Sequence, residues 1–111
     1  MSDDTLARLA ATISARRAAT ASASYTKSLL EKGIAACAKK FGEEAAETVI
    51  AAVSESDGKL RNEAADLIYH LLVLLEARNL PFEQVLSELE RRTSQSGHAE
   101  KASRPGNGDV S

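Results

Sequence analysis

Five acids and a histidine stand out by their spacing. The stretch Gly42-Glu43-Glu44-Ala45-Ala46-Glu47 sets Glu44 and Glu47 three residues apart. The stretch Glu63-Ala64-Ala65-Asp66-Leu67-Ile68-Tyr69-His70 repeats that interval with Glu63 and Asp66. Positions i and i+3 of a helix share a face, and His70 falls one turn further along the second one. Two such pairs turned toward each other bring four carboxylates together. Like charges at that range repel, so a counter-charge must join them. Carboxylate oxygens suit a hard divalent cation, and Mg²⁺ in such a site keeps open positions for water and substrate phosphates. Ala45, Ala46, Ala64 and Ala65 between the acids leave room for an ion and a ligand. The plainer alternative is a solvated face balanced by Lys39, Lys40 and Arg61. Against it, the acids interrupt a hairpin that is otherwise heavily apolar.

The chemistry needs two adjacent helices. One is predicted from about Ile34 to Ser54 and the other from about Lys59 to Arg78, with Ser56-Asp57-Gly58 as the turn. So short a connection makes them antiparallel neighbours. Glu47 lies about ten residues before the turn and Glu63 about six after it. At ~1.5 Å rise per residue the two pairs sit at comparable heights. Leu60, Ala64, Leu67, Ile68, Leu71, Leu72, Leu74 and Leu75 make the second helix apolar over more than half its girth, which predicts burial on two sides. Before the hairpin, a helix from about Asp4 to Ala19 carries Leu6, Leu9, Ile13 and Arg17 on one face, with Asp3 or Asp4 as its cap. A loop over Thr20 to Ser24 and a short helix from Thr26 to Lys32, ended by Gly33, follow. After it, Asn79 can take a left-handed cap and Pro81 starts a helix from Phe82 to Thr93, with Val85, Leu86 and Leu89 inward. No alternating strand pattern competes. The expected fold is all-α: an antiparallel helical bundle over residues 1–93, then a polar tail over 94–111 that is partly disordered.

Composition narrows the function. Lys and Arg number 14 against 16 Asp and Glu, a formal charge of −2. That balance excludes a general nucleic-acid binder. The single cysteine, Cys37, excludes an internal disulfide and any multi-cysteine metal site. It fits a reducing compartment, as a buried inert thiol. No purely apolar run is longer than Leu71 to Leu75, far short of the roughly 20 residues of a membrane span. Met1-Ser2-Asp3-Asp4 is acidic where a signal peptide is basic. A soluble, cytoplasmic protein is expected. Of the 111 residues, 20 are Ala, so the larger apolar side chains are few for a domain this small. Completion of the core by a second copy, a homodimer with Leu67 to Leu75 as its seam, is the expectation.

At the acids the sequence resembles a known superfamily. Glu-Glu-x-x-Glu followed by Glu-x-x-Asp on a helical hairpin is the pattern of the MazG-like all-α nucleoside-triphosphate pyrophosphohydrolases. The flanks are similar to those of the phosphoribosyl-ATP pyrophosphatase family: Ser24-Tyr25-Thr26, Leu29-Leu30, Lys32-Gly33, Lys39 to Ala45, Ala65 to Leu72, and Ser96 to Arg104. The resemblance spans roughly Leu6 to Arg104. It implies Mg²⁺-dependent hydrolysis of phosphoribosyl-ATP to phosphoribosyl-AMP and pyrophosphate, the second step of histidine biosynthesis. Some members of the family are fused to a cyclohydrolase that uses several cysteines for zinc, so a stand-alone, homodimeric form is implied here.

Carried over by position, the resemblance makes Glu44, Glu47, Glu63 and Asp66 the metal ligands. It gives Glu43, with Glu44 and Glu47, to catalysis, Glu43 orienting or deprotonating the attacking water. Lys39 and Lys40, one turn before the acids, are candidates to clasp phosphates, as are Lys27, Lys32, Lys101 and Arg104. Tyr25, Tyr69 and His70 are candidates to contact base or ribose. Each has a plainer alternative. Lys39 and Lys40 can simply pair with Glu43 and Glu44, Tyr69 can be a core residue, and His70 can be a packed histidine or a support for a ligand. Lys101 and Arg104 sit in the polar tail, which the resemblance expects to order on substrate or on the neighbouring subunit. Two rival functions remain at this level: hydrolysis of another nucleotide such as dUTP, and a non-catalytic helical dimerisation module.

Overall fold

A computed structural model describes residues 2–93, with side chains from residue 5 onward. Lys101 and Arg104 lie outside the described residues. The chain forms five α-helices: α1 (Ser2–Ala15), α2 (Tyr25–Lys32), α3 (Ile34–Ser54), α4 (Asp57–Ala77) and α5 (Phe82–Thr93), and no strand appears among the described residues.

The antiparallel pair α3 and α4 is the frame of the molecule. The connection is tighter than the sequence suggests. α4 starts at Asp57, so Asp57 and Gly58 are helical and only Glu55 and Ser56 link the helices. The Ser56 side chain accepts a hydrogen bond from the Lys59 backbone N–H at 3.1 Å, which caps the first turn. Gly33 at φ +96° lies in the left-handed region and separates α2 from α3 without a loop. Asn79 at φ +60° closes α4 as expected. Ser24 caps α2 by accepting from the Lys27 N–H at 3.1 Å.

The first helix differs from its expected form. α1 begins at Ser2, so Asp3 and Asp4 lie within it rather than before it. It ends at Ala15 and tightens into a 3₁₀ turn over Arg16–Ala18. Arg17 explains the end. Its guanidinium leaves the inner stripe and bonds the Glu76 carboxylate, the Glu76 carbonyl and, at 3.0 Å, Asn79 Oδ1 at the close of α4.

Ile13 from α1, Leu29 from α2, Cys37 from α3, and Leu72 and Val73 from α4 form the core cluster. Cys37 is inert there: its Sγ points at the Leu29 carbonyl at 3.3 Å, and burial pushes the thiol up. The inward face expected of α5 needs correction. Leu86 and Leu89 are exposed rather than inward, and only Val85 is half-buried. The predicted seam on α4 is corrected in part. Leu72 packs inside this chain with Val73, and of that stretch Ile68 stays exposed.

Candidate active site

The hairpin brings three of the four expected acids into one tight group. Glu44 on α3 and Glu63 on α4 are both buried in the groove between the helices, at 6% and 8% exposure. Asp66 is exposed beside them, and one carboxylate oxygen from each of the three lies within 4.8 Å of the others. Glu47 is at the rim. Its carboxyl is pushed above the usual range, first by the charge of Glu44 and then by a hydrogen bond to Glu63. Three acids thus form the tight group and the fourth leans on it. Glu43 is exposed on the outer side of Lys40, whose Nζ is 3.9 Å from its Oε1.

Two lysines neutralise part of this charge. Lys40 Nζ is 3.4 Å from Glu44 Oε2, and Lys59 Nζ is 3.3 Å from Glu63 Oε2. Each lysine is held protonated above its ordinary range, chiefly by its hydrogen bond to that glutamate. Two ammonium groups cannot balance five carboxylates. Moreover, Glu44 Oε1 and Glu63 Oε1 are buried with no hydrogen-bond partner. A buried acceptor left unpaired costs about 1–3 kcal/mol, more when charged. Oxygens of this kind, on hard acidic ligands aimed into one groove, fit a divalent cation bound through oxygen.

A polar and aromatic cluster flanks the acids where α2 meets α4. His70 is buried, and its Nδ1–H donates to the Asp66 carbonyl at 2.8 Å. A carbonyl only accepts, so Nδ1 carries the proton and, in the neutral ring, Nε2 accepts. The Tyr25 hydroxyl, 3.3 Å away, is its donor. Tyr69 hydrogen-bonds Thr26, and its ring lies nearly parallel to that of Tyr25, 19° apart with centroids at 6.3 Å. His70 meets both rings edge-on. Tyr69 is half-buried against the core, whereas Tyr25 is 55% exposed and offers its ring to solvent. His70 therefore combines both of its readings: it is packed, and it supports the backbone of an acid in the cluster.

The other cations are not gathered here. Lys27 Nζ donates to the Arg17 carbonyl at 2.7 Å and pairs with Glu31, away from the acids. Lys39 is exposed and, among the described residues, bonds none of the acids. Lys32 is exposed at the last turn of α2. Two site residues escaped the sequence reading. Lys59 precedes Glu63 by four residues, a spacing that signals the pair. Thr48 follows Glu44 by four, and its hydroxyl donates to the Glu44 carbonyl at 2.8 Å and to the Glu63 carbonyl at 3.2 Å.

Comparison with known proteins agrees with this geometry. A sequence model of the family "Phosphoribosyl-ATP pyrophosphohydrolase" matches residues 6–93. A protein of Azorhizobium caulinodans named phosphoribosyl-ATP pyrophosphatase is 56% identical over 106 residues, covering 94% of this chain and 97% of its own. One of Zymomonas mobilis with the same name is 54% identical, covering 95% of this chain and 98% of its own. Phosphoribosyl-ATP pyrophosphatase 1 of Bradyrhizobium diazoefficiens is 58% identical, covering 90% and 94%. With the family match running from α1 through α5, over the whole acid-bearing hairpin, the chain belongs to the phosphoribosyl-ATP pyrophosphohydrolase family.

Proposed function

We propose that this chain hydrolyses phosphoribosyl-ATP to phosphoribosyl-AMP and pyrophosphate in the cytoplasm, as the second step of histidine biosynthesis. The observation that carries the site assignment is the pair of buried, unpartnered oxygens on Glu44 and Glu63. Glu44, Glu63 and Asp66, with Glu47 at the rim, would hold Mg²⁺. Bound there, the cation supplies charge neutralisation on the phosphates and lowers the pKa of bound water.

The chain's own groups do the rest. Glu43, exposed and next to the cluster, orients the attacking water and accepts its proton. Lys40 is held chiefly by Glu44, which a cation would neutralise, and more loosely by Glu43 at 3.9 Å, so its ammonium can move onto a phosphate oxygen. The exposed Tyr25 ring offers a flat surface to the purine, and His70 keeps the Tyr25 hydroxyl oriented. Positioning and electrostatics of this kind are the main contributions a protein makes to phosphoryl chemistry. Two copies pair through the exposed outer face of α3, where Val49, Ile50 and Val53 are uncovered.

The decisive assay is Mg²⁺-dependent release of pyrophosphate from phosphoribosyl-ATP, with Glu44→Gln and Asp66→Asn beside wild type. Loss of turnover in both is expected. Full activity in the mutants would remove the metal site. Turnover of dUTP or another nucleotide, with none on phosphoribosyl-ATP, would replace the substrate. No turnover of any nucleotide, together with tolerance at the acids, would leave a dimerisation module.

A further inference from the structure

A threonine hydroxyl that bonds the carbonyl four residues back on its own helix is ordinary. Thr48 does more. Its Oγ1 is 2.8 Å from the Glu44 carbonyl on α3 and 3.2 Å from the Glu63 carbonyl on α4. Those two carbonyls belong to the two residues whose buried Oε1 atoms have no partner. One hydroxyl proton is shared between them, so a single side chain ties together the backbones of both residues. It does so only a few bonds from each carboxylate, where a shift along or around either helix would displace the oxygens directly. Glu63 also meets Glu47 across the groove, through side chains alone; the remaining ion pairs of the two glutamates run within one helix, to Lys40 and to Lys59. Neither of those contacts sets one helix against the other.

We propose that Thr48 is a positioning residue that sets the spacing of Glu44 and Glu63 and so tunes the affinity of the site for a divalent cation. The proposal rests on the metal-site reading above. It concerns the register of the helices and not the ligands themselves. Outer groups that orient metal ligands commonly change metal affinity by about 10–100-fold when removed.

The test uses the full chain and Mn²⁺ as the probe, titrated by calorimetry into metal-free protein. Thr48→Val keeps the shape and removes the hydroxyl, while Thr48→Ser keeps the hydroxyl. We expect Val to weaken Mn²⁺ binding by about tenfold and Ser to stay within about twofold of wild type. Thr48→Ala, favoured in a helix, stands in if the valine variant does not fold, with the same loss expected. Melting of the metal-free proteins is followed in parallel. A lower melting temperature with unchanged Mn²⁺ affinity would make Thr48 a plain structural clamp and overturn the proposal. Equal affinity in Val, Ala and wild type would overturn it too, leaving the metal site standing. Absence of Mn²⁺ uptake by wild type would overturn both.

Discussion

Glu44 and Glu63 are mirror images of each other across the α3–α4 groove. Each follows a lysine of its own helix by four residues, each pairs one oxygen with that lysine, and each leaves its other oxygen buried without a partner. The metal-free groove is therefore a destabilised state. Mg²⁺ should raise the melting temperature, by the equivalent of about 2.7 kcal/mol at a hundredfold excess over its dissociation constant. Glu63→Gln should remove that gain. In metal-free protein the same variant should melt no lower than wild type, since it deletes a repelling charge and its amide can donate to Glu44. Melting curves with EDTA and with MgCl₂ decide the matter. A variant that still gains from Mg²⁺ as wild type does would show that the cation binds elsewhere.

Lys40 and Lys39 are neighbours in sequence with different surroundings. Lys40 is held by Glu44, and beyond that bond the nearby Tyr25 also favours its charged form. Lys39 points to solvent. A charged hydrogen bond to phosphate contributes about 1.5–3 kcal/mol, so Lys40→Met should lower kcat/KM by roughly 10–100-fold. Lys39→Met should change it by less than about threefold, as expected of an exposed residue outside the site. Steady-state kinetics on both variants checks the contrast. Equal effects at the two positions would undo the assignment of Lys40 to phosphate.

The aromatic surface predicts a separation of roles at Tyr25. Stacking of a base on an aromatic ring is worth about 1–3 kcal/mol, so Tyr25→Ala should raise KM about tenfold. Tyr25→Phe keeps the ring and loses only the hydrogen bond to His70. It should leave KM close to wild type. A phenylalanine variant as poor as the alanine one would mean that the hydroxyl, and not the ring face, meets the substrate.

The hairpin and its acids were legible because their geometry is local. The i, i+3 spacing of Glu44 with Glu47 and Glu63 with Asp66 forces each pair onto one face, and a short turn forces the faces together. The limits Ile34–Ser54 of α3 follow from Gly33 before it and the polar run after it. What escaped depends on contacts between elements. Val73 is the most buried residue of α4, yet it lies off the leucine stripe; the cluster that covers it takes Ile13 from α1, Leu29 from α2 and Cys37 from α3. Leu86 and Leu89 have the right period for a buried face, but periodicity does not say whose surface covers it. Glu47 stays exposed at the rim although its carboxyl reaches Glu63, a difference in burial that the shared i, i+3 spacing with the buried Glu44 does not reveal.

Glu88 gives α5 a pH dependence unrelated to the site. Its carboxyl bonds Arg91 and Arg92, and these hold it down to about 2 from the ordinary glutamate value. A carboxylate with a lowered folded pKa adds stability above its unfolded pKa and loses it as pH falls toward the folded value. The contribution is therefore complete at neutral pH and fades between roughly 4.5 and 2. Circular-dichroism melts of wild type and Glu88→Gln should differ slightly at pH 6, with the variant lower, and converge near pH 2. A gap that persists at the acid end would assign the effect to packing and not to charge.

The outer face of α3 bears on assembly. Val49, Ile50 and Val53 are exposed, Val53 at 79%, on the side of the helix turned away from α4 and from Glu44. Gly42 and Ala46 continue that exposed face toward the N-terminus at helical spacing. Small residues at one end and valines at the other let a second helix approach closely along its length. A helix apolar on both its inner and outer faces is one that is covered on both. Burying such a side chain contributes about 1.5–3 kcal/mol, and a charge in its place would be left desolvated in the seam. Val53→Lys should therefore convert a dimer into a monomer in sedimentation velocity at micromolar protein, with its helical circular dichroism retained. Because Glu44 lies on the opposite face of α3, and Glu63 and Asp66 lie on α4, the monomer should still bind Mn²⁺. A wild-type chain that sediments as a monomer would remove the pairing itself, and a Val53→Lys chain that remains dimeric would move the seam off α3.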